Sequence, residues 1–170
     1  MAKDHRAVFV VSFLNYFQWR IRTRKFPFTL YAVKGRENIL GKEWRDDLHK
    51  YIVGIIENEG CKSLAVGGWK DHVHIFFGHP PNKNVSEIVQ VVKANSSKWV
   101  NKNKFIAGKF EWQSGFSAFS YARSQRDNVT GYIMGHEEHH RIKSFREEYL
   151  EMMNKFEVEY EDRYLFEFFD

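Results

Sequence analysis

Apolar residues recur along this chain with two different periods, and the periods sort it into elements. Val8–Phe17 is a dense run of apolar, aromatic and β-branched residues, the make-up of a buried strand. Pro27, Gly35 and Gly41 then bound a connecting region. Beyond it Trp44, Leu48, Tyr51, Ile52, Ile55 and Ile56 return at the spacing of one helix face, and Gly60 supplies a stop. Lys62–Val66 predicts a short strand, Gly67-Gly68 a turn, and His72–Phe77 a second strand. Pro80-Pro81 closes that strand, because proline cannot donate to a ladder. Asn84 or Ser86 caps a second helix that carries Val85, Ile88, Val89, Val92 and Trp99 on one stripe. The mixed aromatic segment Phe110–Tyr121, with Gly115, predicts a strand or hairpin. Residues 127–153, rich in Glu, Arg, Met and Leu, predict helix. The aromatic, acidic residues 156–170 read as a final strand or a docking tail. The order β-α-β-β-α-β-α predicts an α+β fold, helices against a mostly antiparallel sheet, in a single domain over 1–170.

Composition narrows the class without naming an activity. With 170 residues, 43% of them hydrophobic and 17% aromatic, the chain can bury a core and does not read as disordered. The longest apolar stretch, around Ala7–Leu14, is too short to span a bilayer, so no membrane partner is expected. A lone cysteine, Cys61, excludes an internal disulfide framework and fits a reducing, cytoplasmic location.

Charge is uneven along the chain, although its formal total is only +4. Trp19–Arg36 holds six cations and no acid, Lys83–Lys109 six lysines against Glu87, and Arg146–Asp170 nine acids against three bases. In an extended strand the alternation Arg20-Ile21-Arg22-Thr23-Arg24 places Arg20, Arg22 and Arg24 on one face. That row suits either phosphate neutralisation or a solvated strand face. On the second helix Lys93, Lys98 and Lys102 lack acidic neighbours in sequence and are the preferred candidates for contact with a nucleic-acid backbone such as DNA.

Histidines carry the chemistry. Six of the eight lie in two clusters: His72, His74 and His79, then His136, His139 and His140. On a strand His72-Val73-His74 sends both imidazoles to one face with Cα atoms roughly 6.6 Å apart, which suits two ligands of one metal or two surface histidines. On a helix Tyr132, His136 and His140 share a face at i, i+4 and i+8. His136-Glu137-Glu138-His139-His140 also satisfies the HExxH spacing of zinc proteases, a remote alternative that ignores the first cluster. Taken together, the two clusters suggest a divalent metal facing a phenolic nucleophile. A metal polarises a phosphate, and the phenol, with an ordinary pKa near 10, attacks a DNA phosphodiester to give a phosphotyrosine. Tyr121, in an expected strand, is a decoy with a packing role. Trp44 and Trp99 belong to core stripes, while Trp19, Trp69 and Trp112 are candidates for stacking on unpaired bases.

Gly67-Gly68-Trp69-Lys70-Asp71-His72-Val73-His74-Ile75 resembles the HUH segment of the single-tyrosine transposases of the IS200/IS605 group. Tyr132-Ile133-x-x-x-Glu137-Glu138-His139-His140 and Lys143-Ser144-Phe145-x-x-Glu148-Tyr149 resemble their tyrosine helix and its continuation. Phe110-Glu111-Trp112-Gln113 and Ala118-Phe119-Ser120-Tyr121 match the region between. The resemblance implies an HUH nuclease fold related to the ferredoxin-like sheet, with the tyrosine on a helix in the C-terminal half. It further implies a homodimer and a Mg²⁺- or Mn²⁺-dependent reaction on single-stranded DNA with hairpin ends. By position it makes His72 and His74 metal ligands and Tyr132 the nucleophile. Where the family usually has Gln, this chain has His136, an imidazole ligand that favours Mn²⁺. The expected function is a transposase that cuts and rejoins the ends of its own element. The alternatives are a domesticated relative acting on palindromic host repeats and an inactive nucleic-acid-binding module.

Overall fold

The computed structural model describes residues 26–36, 38–135 and 144–159. The expected strand Val8–Phe17, Arg20, Arg22, Arg24, His136, His139 and His140, and the tail from residue 160 onward lie outside the described residues. In chain order the elements are β1 (Phe26–Ala32), α1 (Lys42–Asn58), β2 (Lys62–Gly68), β3 (His72–Gly78), α2 (Val85–Asn103) and β4 (Ser117–Tyr121). They are followed by α3 (Arg126–Met134) and α4 (Phe145–Lys155). The strands form one antiparallel sheet in the order β2-β3-β1-β4. This is the mixed α+β, antiparallel-sheet architecture that the sequence predicts.

Both faces of the sheet are covered, which is why β3 is buried on each side rather than alternating with solvent-facing residues. On one face Tyr31, Val33, Val73, Ile75 and Phe77 pack against Leu48, Ile52 and Ile56 of α1 and Ile88, Val89 and Val92 of α2. On the other, Phe28, Leu30, Ala32, Phe76 and Phe119 pack against Val129 and Ile133 of α3 and Phe145, Tyr149 and Met152 of α4. Each large side chain taken fully out of water contributes roughly 1.5–3 kcal/mol. α1 ends where expected, at Gly60 with φ +76, a conformation glycine adopts without a Cβ penalty. Asn84 begins α2, its backbone and side-chain amides both donating to the Glu87 carboxylate.

Three expectations change. Pro27 does not open a connecting region but sits inside β1, opposite Ser120 of β4. The position tolerates proline because pairing with β3 begins only at Phe28, so the strand has one neighbour there. Gly67 and Gly68 are not the turn; they extend β2 and pair with His74 and Val73, and the turn is Trp69–Asp71. The reason is steric. A Cβ at Gly67 would lie 2.8 Å from the Cγ2 and carbonyl oxygen of Ile133, and one at Gly68 would lie 2.2 Å from the carbonyl oxygen of His72. The helical stretch expected over 127–153 is also broken, since Ser144 is extended (φ −71°, ψ 155°) and caps a separate helix.

Gly67 therefore lets α3 lie directly on the sheet. Gly67→Ala is expected to destabilise the protein by about 1–3 kcal/mol, as overpacking does. A denaturant midpoint equal to the wild type's would contradict this packing.

Candidate active site

β3 carries the site. Side chains two apart on a strand share a face, so His72 and His74 both point to the α3/α4 side, while Val73 anchors the opposite core. Their partners across β1 are Ala32 and Leu30. Both histidines are 0% exposed, so they are not surface histidines. Their rings lie 4.9 Å apart and nearly perpendicular. Phe145 packs 4.3 Å from His72 and Phe28 packs 5.2 Å from His74. Polar ring nitrogens buried among such rings are costly unless they are engaged.

α4 supplies a third group. Ser144 and Glu147 cap each other at its start: the Glu147 amide donates to Ser144 Oγ, and the Ser144 amide donates to Glu147 Oε2 at 2.8 Å. From that origin Phe145, Glu148, Tyr149 and Met152 fall at i, i+3, i+4 and i+7 on the buried stripe. Tyr149 fixes the stripe through a buried 2.7 Å hydrogen bond between its hydroxyl and Ser117 Oγ. Glu148 Oε1 thereby lies 3.5 Å from His74 Nε2. One ligand atom each from His72, His74 and Glu148 lies within 4.8 Å of the others. Burial, reinforced by the negative charges of Asp71 and Glu151, pushes the Glu148 carboxyl up from 4.5 to about 8. Two imidazoles and a carboxylate form a donor set that suits a divalent cation, whose charge would offset that penalty.

Tyr132 stands beside this cluster. It is half-buried in α3, its ring 6.2 Å from that of His74 and nearly edge-on at 80°. The cause is visible in the register: Gly67 is the cross-strand partner of His74 and shares its face. With no side chain at Gly67, Ile133 settles on β2, and the preceding residue comes beside His74. The structure thus brings together three of the expected site residues, His72, His74 and Tyr132, and adds Glu148. His136 and the HExxH histidines lie outside the described residues.

Glu148 was missed, yet it sits in the block Lys143–Tyr149 that marks the family resemblance. An acid at i+3 of an apolar stripe was the signal. Tyr121, as expected, is a packing residue, set edge-on to Phe28 and Phe76. Trp112 is buried with its indole N–H donating to Ser96 Oγ, so it is no stacking platform. Phe156, the first residue of the expected tail, is buried and stacks on Phe119.

The lysines of α2 do not form one exposed row. Lys93 turns inward and donates to the carbonyls of Gln113 and Gly115 at 2.6 and 2.7 Å, and burial pulls its ammonium down to about 8. In this position it braces the segment before β4. Lys98 and Lys102 are exposed.

Comparison with known proteins agrees with this fold. The family model for IS200-like transposases matches residues 29–136. A candidate transposase from Deinococcus radiodurans R1 shares the fold with a TM-score of 0.53 and 20% identity, over 71% of this chain and 97% of that one. A REP-associated tyrosine transposase, solved bound to a REP hairpin, shares it with a TM-score of 0.54 and 15% identity, over 75% and 74% of the two chains. No curated protein matches the sequence significantly.

The Glu148 shift has a definite sign. Its folded value lies above the ordinary one, so its contribution to metal-free stability is complete below pH 4.5 and lost as pH rises through about 8. Glu148→Gln stays neutral throughout. Metal-free thermal melts should show that variant gaining on the wild type across this window; a pH-independent gap would contradict the assignment.

Proposed function

The chain belongs to the IS200-like transposase family, and from that footing we propose that it cleaves and rejoins single-stranded DNA through Tyr132. The observation that carries the reading is the tyrosine ring set 6.2 Å from His74, itself one of three convergent metal-ligand candidates. His72, His74 and Glu148 would hold Mn²⁺ or Mg²⁺, with His136, four residues beyond the tyrosine, as the further ligand that the family resemblance implies. When bound, such an ion supplies a Lewis acid that polarises a phosphate oxygen and eases departure of the 3′-oxygen.

The chain's own part is positioning and attack. Tyr132 Oη forms a bond to phosphorus as the P–O3′ bond breaks; the phenol proton is lost, and the leaving oxygen is protonated to a free 3′-OH. The DNA 5′-phosphate stays esterified to Tyr132. An incoming 3′-OH reverses the exchange, releasing the phenol and resealing a strand without an external energy source. The nucleophile stands on a helix seated against the sheet, so its approach is fixed by packing rather than by a loop.

The substrate proposed is single-stranded DNA with hairpin ends, handled by a homodimer, with exposed Lys98 and Lys102 on the DNA backbone and Arg20, Arg22 and Arg24 as a second basic face. A second reading, action on dispersed palindromic repeats of the host, is favoured by the structural neighbour solved with a REP hairpin.

Incubation with hairpin-bearing single-stranded DNA and Mn²⁺ should give a covalent protein–DNA adduct on a denaturing gel. Tyr132→Phe should abolish it, and Glu148→Gln should reduce it at least tenfold, as loss of a metal-site group does. An adduct that persists in Tyr132→Phe would sink the assignment, and binding without adduct would favour an inactive module.

A further inference from the structure

The turn between β2 and β3 holds a group to which neither the metal cluster nor the tyrosine assigns a part. Asp71 is 7% exposed, and its Oδ1 lies 2.6 Å from His72 Nδ1. We propose that Asp71 is a positioning residue of the metal centre: it accepts the Nδ1–H of His72 and so presents Nε2 as the ligand atom. This rests on the metal reading of His72, His74 and Glu148.

A carboxylate accepts hydrogen bonds and an imidazole donates only through the nitrogen that carries a proton. With Nδ1 as the donor, neutral His72 keeps its lone pair on Nε2, the nitrogen that would then coordinate a cation. A ring not held in this way would divide between tautomers, and the fraction protonated at Nε2 would be unable to coordinate. The contact also fixes the ring's rotation, which matters because a ligand must point within narrow limits to bind well.

The backbone that delivers Asp71 is held from several directions. Its carbonyl accepts the amide of Val33 at the end of β1, and the neighbouring Lys70 carbonyl accepts the amide of Leu40, each at 2.8 Å. The Trp69 amide donates to the His72 carbonyl at 3.1 Å, closing the turn. The Trp69 ring lies under the guanidinium of Arg45, 4.9 Å away, and Arg45 is itself only 2% exposed. Gly68 admits no side chain because a Cβ there would strike the His72 carbonyl oxygen. A turn fastened to β1, to the segment before α1 and to α1 itself sets the carboxylate against one ring nitrogen with little freedom to drift.

Asp71→Asn separates positioning from space-filling. The amide has the same size, but it can offer an N–H to Nδ1, which selects the opposite tautomer. Nitrogen-15 NMR of the metal-free protein should show His72 protonated at Nδ1 in the wild type and shifted toward Nε2 in Asp71→Asn. Calorimetric titration with Mn²⁺ should show affinity about ten- to a hundredfold weaker in the variant. Asp71→Glu, which restores a carboxylate, should recover the Nδ1–H tautomer. Wild-type His72 protonated at Nε2, or an Asp71→Asn protein with unchanged ring signals and unchanged Mn²⁺ affinity, would overturn the proposal. Absence of Mn²⁺ binding by the wild type would instead remove the metal reading, and the tautomer comparison alone would then decide the role of Asp71.

Discussion

Two imidazoles and a carboxylate are buried side by side on the apolar face of a sheet, and the rest of the structure is arranged around that placement. His72 and His74 occupy positions where Ala32, Leu30, Phe28 and Phe145 surround them with hydrocarbon. Glu148 meets them there with its carboxyl displaced far toward the neutral form. Polar groups in such a setting destabilise a fold unless something engages them. A cation shared by the three would offset that cost, as the proposed hydrogen bond from His72 to Asp71 would for one ring nitrogen.

The division of labour between the two sheet faces follows. The face covered by α1 and α2 is an apolar core of aromatic and β-branched residues, and it supplies rigidity. The opposite face gives up part of its apolar area to His72, His74 and Glu148. It recovers order through specific contacts: the Ser117–Tyr149 hydrogen bond, the Ser144–Glu147 cap, and the seat that Gly67 leaves for Ile133. One glycine in register with a histidine thus links strand pairing to the position of Tyr132. The same sheet thus positions both histidines and, through α3, the Tyr132 ring beside them.

Much of this was legible in the sequence because it follows from periodicity. Alternation on β3 put His72 and His74 on one face, and the apolar stripes of α1 and α2 located their helices, with Asn84 and Gly60 at the expected ends. Periodicity could not show that Pro27 lies within a strand, since its acceptability depends on which neighbour pairs at that residue. Nor could it show that Gly67-Gly68 continues β2, because the demand for glycine there comes from Ile133 and from the β3 backbone. Glu148 and Lys93 teach the same lesson in opposite directions. Glu148, one of several acids in an acidic segment, is buried beside His72 and His74, and Lys93, one of several lysines in a basic segment, braces the segment before β4. Local charge says where polarity is concentrated; only packing says which groups are taken out of water.

The most direct test of the central claim is anomalous diffraction from crystals of the protein grown with Mn²⁺. The account predicts a manganese peak bonded to His72, His74 and Glu148, on the side of the cluster that faces Tyr132. A well-occupied manganese site elsewhere in the protein, with no peak among these three side chains, would contradict it.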